Sequence, residues 1–408
     1  MKRSGKKRTK KQSAKSKGQS KGQSKGQSQG QSKGQSQGQS KGQSQGQSKG
    51  QSKGFSKTKK IVLAVSCGIV LLAVVGVLYM LGQVAPPEIP KIDEEHWSNV
   101  NVDADVAWYP GEFVPEDAQI GSGSIAPESV TDDDRKPEFY TFLIVGLDDG
   151  INTDTIMVAS YDGANKEANI ISIPRDSLVN VSRSVKKINA AYPSGTLNDG
   201  GLAGGVAQLG REVKTIIGFV PDFYIIIEEE AFIRIIDAVG GVEVDAPFHM
   251  RYRDPIQNLH IDIPRGLQVL DGAQALNFAR YRLGSSGSRT ISDYQRIEHQ
   301  QQVVKGVLER LLQPANLLNI PEFISIFSDN VHTDLGAGNI LWLAGQLNSI
   351  RGTDALSAYT MPTTGTSGLP MYYELLDEAA IIELVNRTIN PFTLDITADD
   401  VDILSRAP

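Results

Sequence analysis

Aspartate and arginine are the residue types in this chain whose spacing could do chemistry. In VGLDDGINTDTIMV, Asp148 and Asp149 close one apolar run and Asp154 opens the next. Carboxylates facing each other across such a loop are oxygen ligands for a hard divalent cation. Magnesium takes one or two of them and completes its shell with water and phosphate oxygens. Acidic residues beside glycine are also ordinary turn formers, so this spacing alone leaves both readings open. Arg175 follows Pro174 in SIPRD. Proline has no amide hydrogen for a sheet ladder, so the strand ends there. Arg175 then stands at a strand exit, where a planar guanidinium fork can grip a phosphate, with Asp176 as an ion-pair partner. ARYR places Arg280 and Arg282 two residues apart. On one continuous helix they would diverge by about 200°. They share a face if the helix stops near Phe278 and the chain extends. Asp293, Arg296 and Gln300 fall at i, i+3 and i+7, one face of a helix. Ile297, Val304 and Leu308 make the opposite face apolar. A polar stripe of this kind is equally compatible with a solvated surface.

Other chemistries lack their residues. There is no G-x-S-x-G elbow, no Walker loop and no H-E-x-x-H. The five histidines (His96, His249, His260, His299 and His332) show no metal-ligand spacing, and the only cysteine is Cys67. Covalent Ser-His or Cys-His catalysis and a zinc site are therefore disfavoured.

The acids and arginines need elements to position them. FYTFLIVGL from Phe139, TIMVASYD (155–162), ANIISIP (168–174), DFYIIIE (222–228) and VEVDAP (242–247) read as strands, most of them buried on both faces. Helices are expected over 202–217, over 231–241 with a closing glycine, and over 270–282 behind Asp271. A long one is expected over 291–312, behind the capping types Ser292 and Asp293. Further helices are expected near 321–329, 337–350 and 374–388. Strands alternating with helices predict a layered α/β/α domain with a mixed central sheet.

Residues 61–84, IVLAVSCGIVLLAVVGVLYMLGQV, carry no charge. At 1.5 Å each they span about 36 Å, enough for a hydrocarbon core of about 30 Å. Of the 41 basic residues in the chain, 18 precede residue 61, where no acid occurs; 23 remain beyond the apolar run against 47 acids. Positive flanks stay inside, which predicts an uncleaved transmembrane anchor, a cytoplasmic N-terminus and an acidic domain outside the cell. The absence of cysteine pairs suits a Gram-positive surface protein stabilised by its core alone. The GQSK and GQSQ repeats of 18–54 cannot bury enough apolar area to fold, and they lack aromatic residues for stacking nucleic acid. The expected organisation is a disordered basic tail (1–60), a transmembrane helix (61–84), a stalk or linker (85–136), one catalytic domain (137–390, core motifs 139–312) and a C-terminal tail (391–408).

Taken together, FLIVGLDDGINTDTIMV, ANIISIPRDSLVNV, KINAAYPSG, IIDAVGGVEVDAP, LDGAQALNFARYR and SDYQRIEHQQQVV, in that order, resemble the LytR-CpsA-Psr family of surface proteins. The resemblance covers roughly Phe139 to Leu312. It implies a phosphotransferase that moves a glycopolymer, of teichoic acid or capsule type, from a polyprenyl-pyrophosphate carrier to peptidoglycan through a phosphodiester, using magnesium. Residue by residue, it implies that Asp148 and Asp154 form the metal and catalytic centre. Arg175, Arg280 and Arg282 become catalytic and pyrophosphate-binding residues, and Arg296 and Gln300 bind the pyrophosphate. Asp293 would orient an arginine. The lipid tail implied by the resemblance needs an apolar channel, with Phe223, Ile225, Ile227, Phe232, Ile235 and Ile236 as candidate lining. Two departures stand out. Asn152 and Thr153 precede the second aspartate where arginine and serine are usual, and His299 stands where an arginine is usual. The partners implied are the lipid-linked glycopolymer, peptidoglycan and a single membrane crossing, with no nucleic acid. Two alternatives share the residues: a membrane-anchored polyprenyl-pyrophosphate hydrolase, and a non-catalytic wall- or lipid-binding regulator.

Overall fold

The structure is a computed structural model that describes residues 84–92, 96–99, 125–148, 152–255, 259–285, 288–311, 313, 326, 331–347, 350, 355–367 and 371–404. The expected tail and all but the last residue of the expected anchor lie outside the described residues. So do Asp149 and nearly all of the helix expected near 321–329. Among the described residues no helix is long and apolar enough to cross a membrane.

Six strands form the central sheet: β1 (Phe139–Asp148), β2 (Asn152–Asp162), β3 (Glu167–Ser172), β4 (Phe223–Glu228), β9 (Val331–Thr333) and β10 (Leu356–Thr360). Their order is β10-β3-β2-β1-β4-β9. β1 pairs parallel with β4 and β3 with β10, while β1–β2, β2–β3 and β4–β9 are antiparallel, so the sheet is mixed. The strands carry apolar side chains on both faces because both faces are covered. On β1, Leu143, Val145 and Leu147 point into one core, beneath helices α1 (Gly201–Ile217) and α6 (Glu378–Thr388). Tyr140, Phe142 and Ile144 point to the other, with Val304 and Leu308 of α4 (Asp293–Leu311) and Trp342 of α5 (Ala337–Leu347).

Apart from the two faces of the sheet, elements outside it build a core of their own, the second core. It contains α2 (Glu229–Ala238), α3 (Gly272–Arg280) and four short strands: β5 (Val242–Ala246) paired with β8 (Gly266–Leu270), and β6 (Met250–Asp254) paired with β7 (Leu259–Ile263). α2 closes on Gly240 and Gly241, both at positive φ. There the Asp237 side chain accepts from the Gly272 amide at 2.8 Å, joining the end of α2 to the start of α3.

Packing runs past the expected domain limits. Before residue 137, Ala126 and Val130 join the main core, Trp97 donates to the Asp222 carbonyl, and Arg211 reaches the Ser98 carbonyl. After residue 390, Phe392 and Ile396 are buried in the same core. The helix expected over 374–388 is in part a strand. β12 (Tyr373–Leu376) pairs with β11 (Thr363–Ser367), and α6 begins only after Asp377, whose side chain caps it.

Candidate active site

The aspartates are set by an irregularity in the β1–β2 ladder. Gly146 pairs with Thr155 and Leu147 with Thr153, leaving Asp154 as the extra residue of a bulge. A bulge re-aims side chains. Asp154 and Thr155, which regular pleating would send to opposite faces, both line one cavity. Asp148 lines it as well, from the end of β1.

Arg175 leaves β3 after Pro174 and donates to Asp154. Its Nε lies 4.0 Å from carboxylate oxygens of both Asp176 and Asp293. Burial works against its charge, but Asp154, Asp293 and Asp176 outweigh burial and raise its proton affinity. Asp176 is held in turn by Lys187 at 2.8 Å. α3 ends at Arg280, two residues short of the expected limit of 282 and two beyond the stop near Phe278 that would put Arg280 and Arg282 on one face, and then the chain extends at Tyr281. Tyr281 is buried in the second core with its hydroxyl on Ser288 and Arg289. Arg280 lines the cavity, and Arg282 is exposed and close enough to Arg296 to act on its charge.

α4 begins with a reciprocal cap between Ser292 and Gln295. This places Asp293 and Arg296 in contact at 2.6 Å, with Gln300 one turn further along the same wall. Arg296 is nearly buried, and burial lowers its pKa while Asp293 opposes the shift. His299 is also buried, packed on Phe278 with ring centroids 4.5 Å apart. Burial pushes its pKa down to about 4, so it adds no positive charge near neutral pH.

The cavity has a volume of about 120 Å³. Ile144, Met157, Ile227, Phe232, Leu276 and Val304 make its apolar wall. Of the expected lining residues, Ile227 and Phe232 are present. Phe223 and Ile225 belong to the core beneath α4 and α5, and Ile236 to the second core. Gly146 forms part of the floor, and a Cβ there would come within 3.1 Å of Thr155 Cβ. A wider neighbouring cavity, about 370 Å³, shares Met157 and Val304 with the first.

The cavity is therefore lined by Asp148, Asp154, Arg280, Arg296 and Gln300, with Arg175 paired to Asp154 behind it, while Arg282 is exposed and not part of the lining. The buried Nε atoms of Arg175, Arg280 and Arg296 have no hydrogen-bond partner. Three buried donors without acceptors suit an anion with several oxygens. Asp148 and Asp154 suit a hard cation that needs only one or two protein carboxylates. Among the described residues no group of three or more His, Cys, Asp or Glu side chains is placed to hold a metal. Sequence reasoning missed Glu229. Its carboxylate meets Arg280 at 2.5 Å and lines the cavity together with Asp148. Burial raises its pKa, Arg280 opposes that, and Asp148 adds to it. In the sequence Glu229 looks like any acid in the first turn of a helix, where the dipole favours negative charge.

A family model described as the LytR_cpsA_psr family matches residues 118–389. The chain belongs to the LytR-CpsA-Psr family. It is 27% identical over 293 residues, 68% of this chain and 70% of the relative, to the polyisoprenyl-teichoic acid–peptidoglycan teichoic acid transferase TagV of Bacillus subtilis. It is 33% identical over 228 residues, 55% of this chain and 49% of the relative, to the probable cell wall biosynthesis protein LcpB of Corynebacterium glutamicum. The crystal structure of B. subtilis TagV shares the fold with a TM-score of 0.51 at 24% identity, covering 62% of this chain and 96% of that one. The family match begins at residue 118, inside the stretch expected as linker.

Proposed function

We propose that this chain transfers a glycopolymer, of teichoic acid or capsule type, from a polyprenyl-pyrophosphate carrier to a peptidoglycan hydroxyl. The supporting observation is the single cavity that joins an apolar wall to a rim of arginines and aspartates. The names of the teichoic acid transferase and of the cell wall biosynthesis protein support the same reading.

In this reading the diphosphate meets Arg175, Arg280, Arg282, Arg296 and Gln300, and the tail lies along Ile144, Met157, Ile227 and Val304 towards the wider cavity. Asp148 and Asp154 hold a magnesium ion, which when bound neutralises charge on the phosphate oxygens. The acceptor oxygen attacks the phosphorus that carries the glycan. A new P–O bond forms, the pyrophosphate P–O bond breaks, and polyprenyl phosphate departs with the electron pair. The arginines stabilise the charge that builds on the non-bridging oxygens, the dominant task in phosphoryl transfer. The acceptor's proton passes to an oxygen of Asp148 or Asp154. A metal-bound carboxylate is a poor base, so the two roles divide between them. The N-terminal apolar run anchors the chain as a single-pass membrane protein, with this site outside the cell.

The test supplies full-length protein with a synthetic lipid-pyrophosphate glycan and peptidoglycan fragments. Product joined to peptidoglycan, lost on chelation and restored by Mg²⁺, is the expected result. Free glycan phosphate formed at the same rate without acceptor would identify a hydrolase. No turnover with or without Mg²⁺ would remove the enzyme reading.

A further inference from the structure

We propose that Glu229 makes diphosphate binding in this cavity conditional on a divalent cation, by holding the Arg280 guanidinium in competition with the incoming phosphate. The proposal rests on the reading that the site takes a diphosphate.

Glu229 is the first residue of α2, directly after β4. The helix start does not use its side chain: the N-cap is Glu228, and it makes no side-chain capping bond. The Glu229 carboxylate instead turns into the cavity and engages Arg280 at 2.5 Å, with the two side chains 33% and 30% exposed. Asp148 lines the same cavity, and its charge adds to the rise in the Glu229 pKa. The cavity lining carries four carboxylates, Asp148, Asp154, Glu228 and Glu229, against two guanidinium groups, Arg280 and Arg296. Arg175, just behind, is taken by Asp154.

A diphosphate brings at least two more negative charges to a wall that is already net negative. It gains Arg280 only by displacing Glu229, and the displaced carboxylate stays a few ångströms away beside Asp148. Like charges at that separation in a half-desolvated site repel strongly. A divalent cation removes the conflict. It supplies a counter-charge to the acidic side of the cavity and leaves Arg280 free to turn to the phosphate. Binding of cation and diphosphate is then positively linked, each raising the affinity of the other by the same factor. Glu229 acts here as a positioning residue through Arg280.

The probe is inorganic pyrophosphate, titrated calorimetrically into the full-length protein in detergent, with Mg²⁺ or with chelator. Wild type is expected to bind at least tenfold more tightly with Mg²⁺. Glu229→Gln, which keeps the shape and removes the charge, should bind metal-free pyrophosphate about tenfold more tightly than wild type, and its gain from Mg²⁺ should shrink to a few-fold. A double-mutant cycle isolates the route. In an Arg280→Ala background, Glu229→Gln should change metal-free binding less than twofold. Circular dichroism checks that each variant is folded. The inference is overturned if wild type binds with Mg²⁺ but Glu229→Gln gains nothing without it. It is also overturned if the gain persists without Arg280. If wild type binds pyrophosphate under neither condition, the diphosphate reading falls with it.

Discussion

Arg175 and Asp154 form an ion pair that ties the exit of β3 to the bulge in β2. The pair draws together two motifs 21 residues apart in sequence. It also brings Arg175 within 4.0 Å of Asp293, the first residue of α4. The two sides of the proposed chemistry, anion grip and cation site, therefore share one carboxylate.

That sharing separates the arginines by what each replacement should do. Arg282 is exposed, so Arg282→Ala should leave the melting temperature nearly unchanged. Transfer should still fall roughly tenfold to a hundredfold, the worth of a charged hydrogen bond of about 1.5–3 kcal/mol. Arg296→Ala should lose both. It leaves Asp293, whose side chain is 9% exposed, without its closest cation, at a cost of about 3 kcal/mol. Thermal melts and initial rates on the two variants check this. Full activity in Arg282→Ala would remove it from the phosphate site.

Much of this arrangement was legible in the sequence. Strands such as FLIVGL are buried on both faces and read as continuous apolar runs. Cap residues marked the helix starts at Asp271 and Ser292. The bulge at Asp154 was not legible, because a ladder register depends on both strands and leaves no trace in one. The β6–β7 hairpin was missed because its strands mix charged and apolar residues in MRYRD and LHIDI. Tyr373–Leu376 was merged into the following helix because apolar residues there continue at helical spacing. Glu229 was missed because its partners, Arg280 and Asp148, come from distant segments.

The junction of α2 and α3 leaves no room for a side chain at Gly272. A Cβ there would lie 2.2 Å from the Ile233 carbonyl oxygen, a backbone atom that cannot swing aside. Gly272→Ala should therefore destabilise the protein by about 1–3 kcal/mol through overpacking. A denaturant melt reads this directly. An unchanged midpoint would mean that α3 shifts without cost.

His299 gives a pH-dependent test of its packing role. Its folded-state pKa is lowered to about 4, from 6.5 in the unfolded chain. The stability it contributes is complete above pH 6.5 and is lost as pH falls towards 4, because the unfolded chain takes up a proton that the folded chain refuses. Over that window the loss is about 3 kcal/mol at most. His96 behaves in the same sense and Asp334 in the opposite one, so total stability does not isolate the effect. The difference between wild type and His299→Gln does. Wild type should be the more stable at pH 7.5, and the gap should narrow or reverse by pH 4.5. A gap that does not change with pH would show that His299 takes up its proton as readily in the folded protein as in the unfolded chain.

Gly146 offers a way to separate the lipid tail from the diphosphate. It lies on the cavity floor, between Ile144 and the rim carboxylate Asp148 on the same face of β1. A leucine side chain there projects into the cavity. Gly146→Leu has to displace Thr155, whose Cβ lies 3.1 Å from the added Cβ position, so some loss of stability is expected. Gly146→Ala makes only the first part of that change and serves as the control for it. With a long-chain polyprenyl donor, Gly146→Leu should raise KM tenfold or more over Gly146→Ala. Binding of inorganic pyrophosphate, which has no tail, should differ between the two by less than about threefold. Equal losses for tailed and tail-free ligands would place the lipid elsewhere, whereas a loss confined to the tailed donor would put the chain against Gly146, Met157 and Val304.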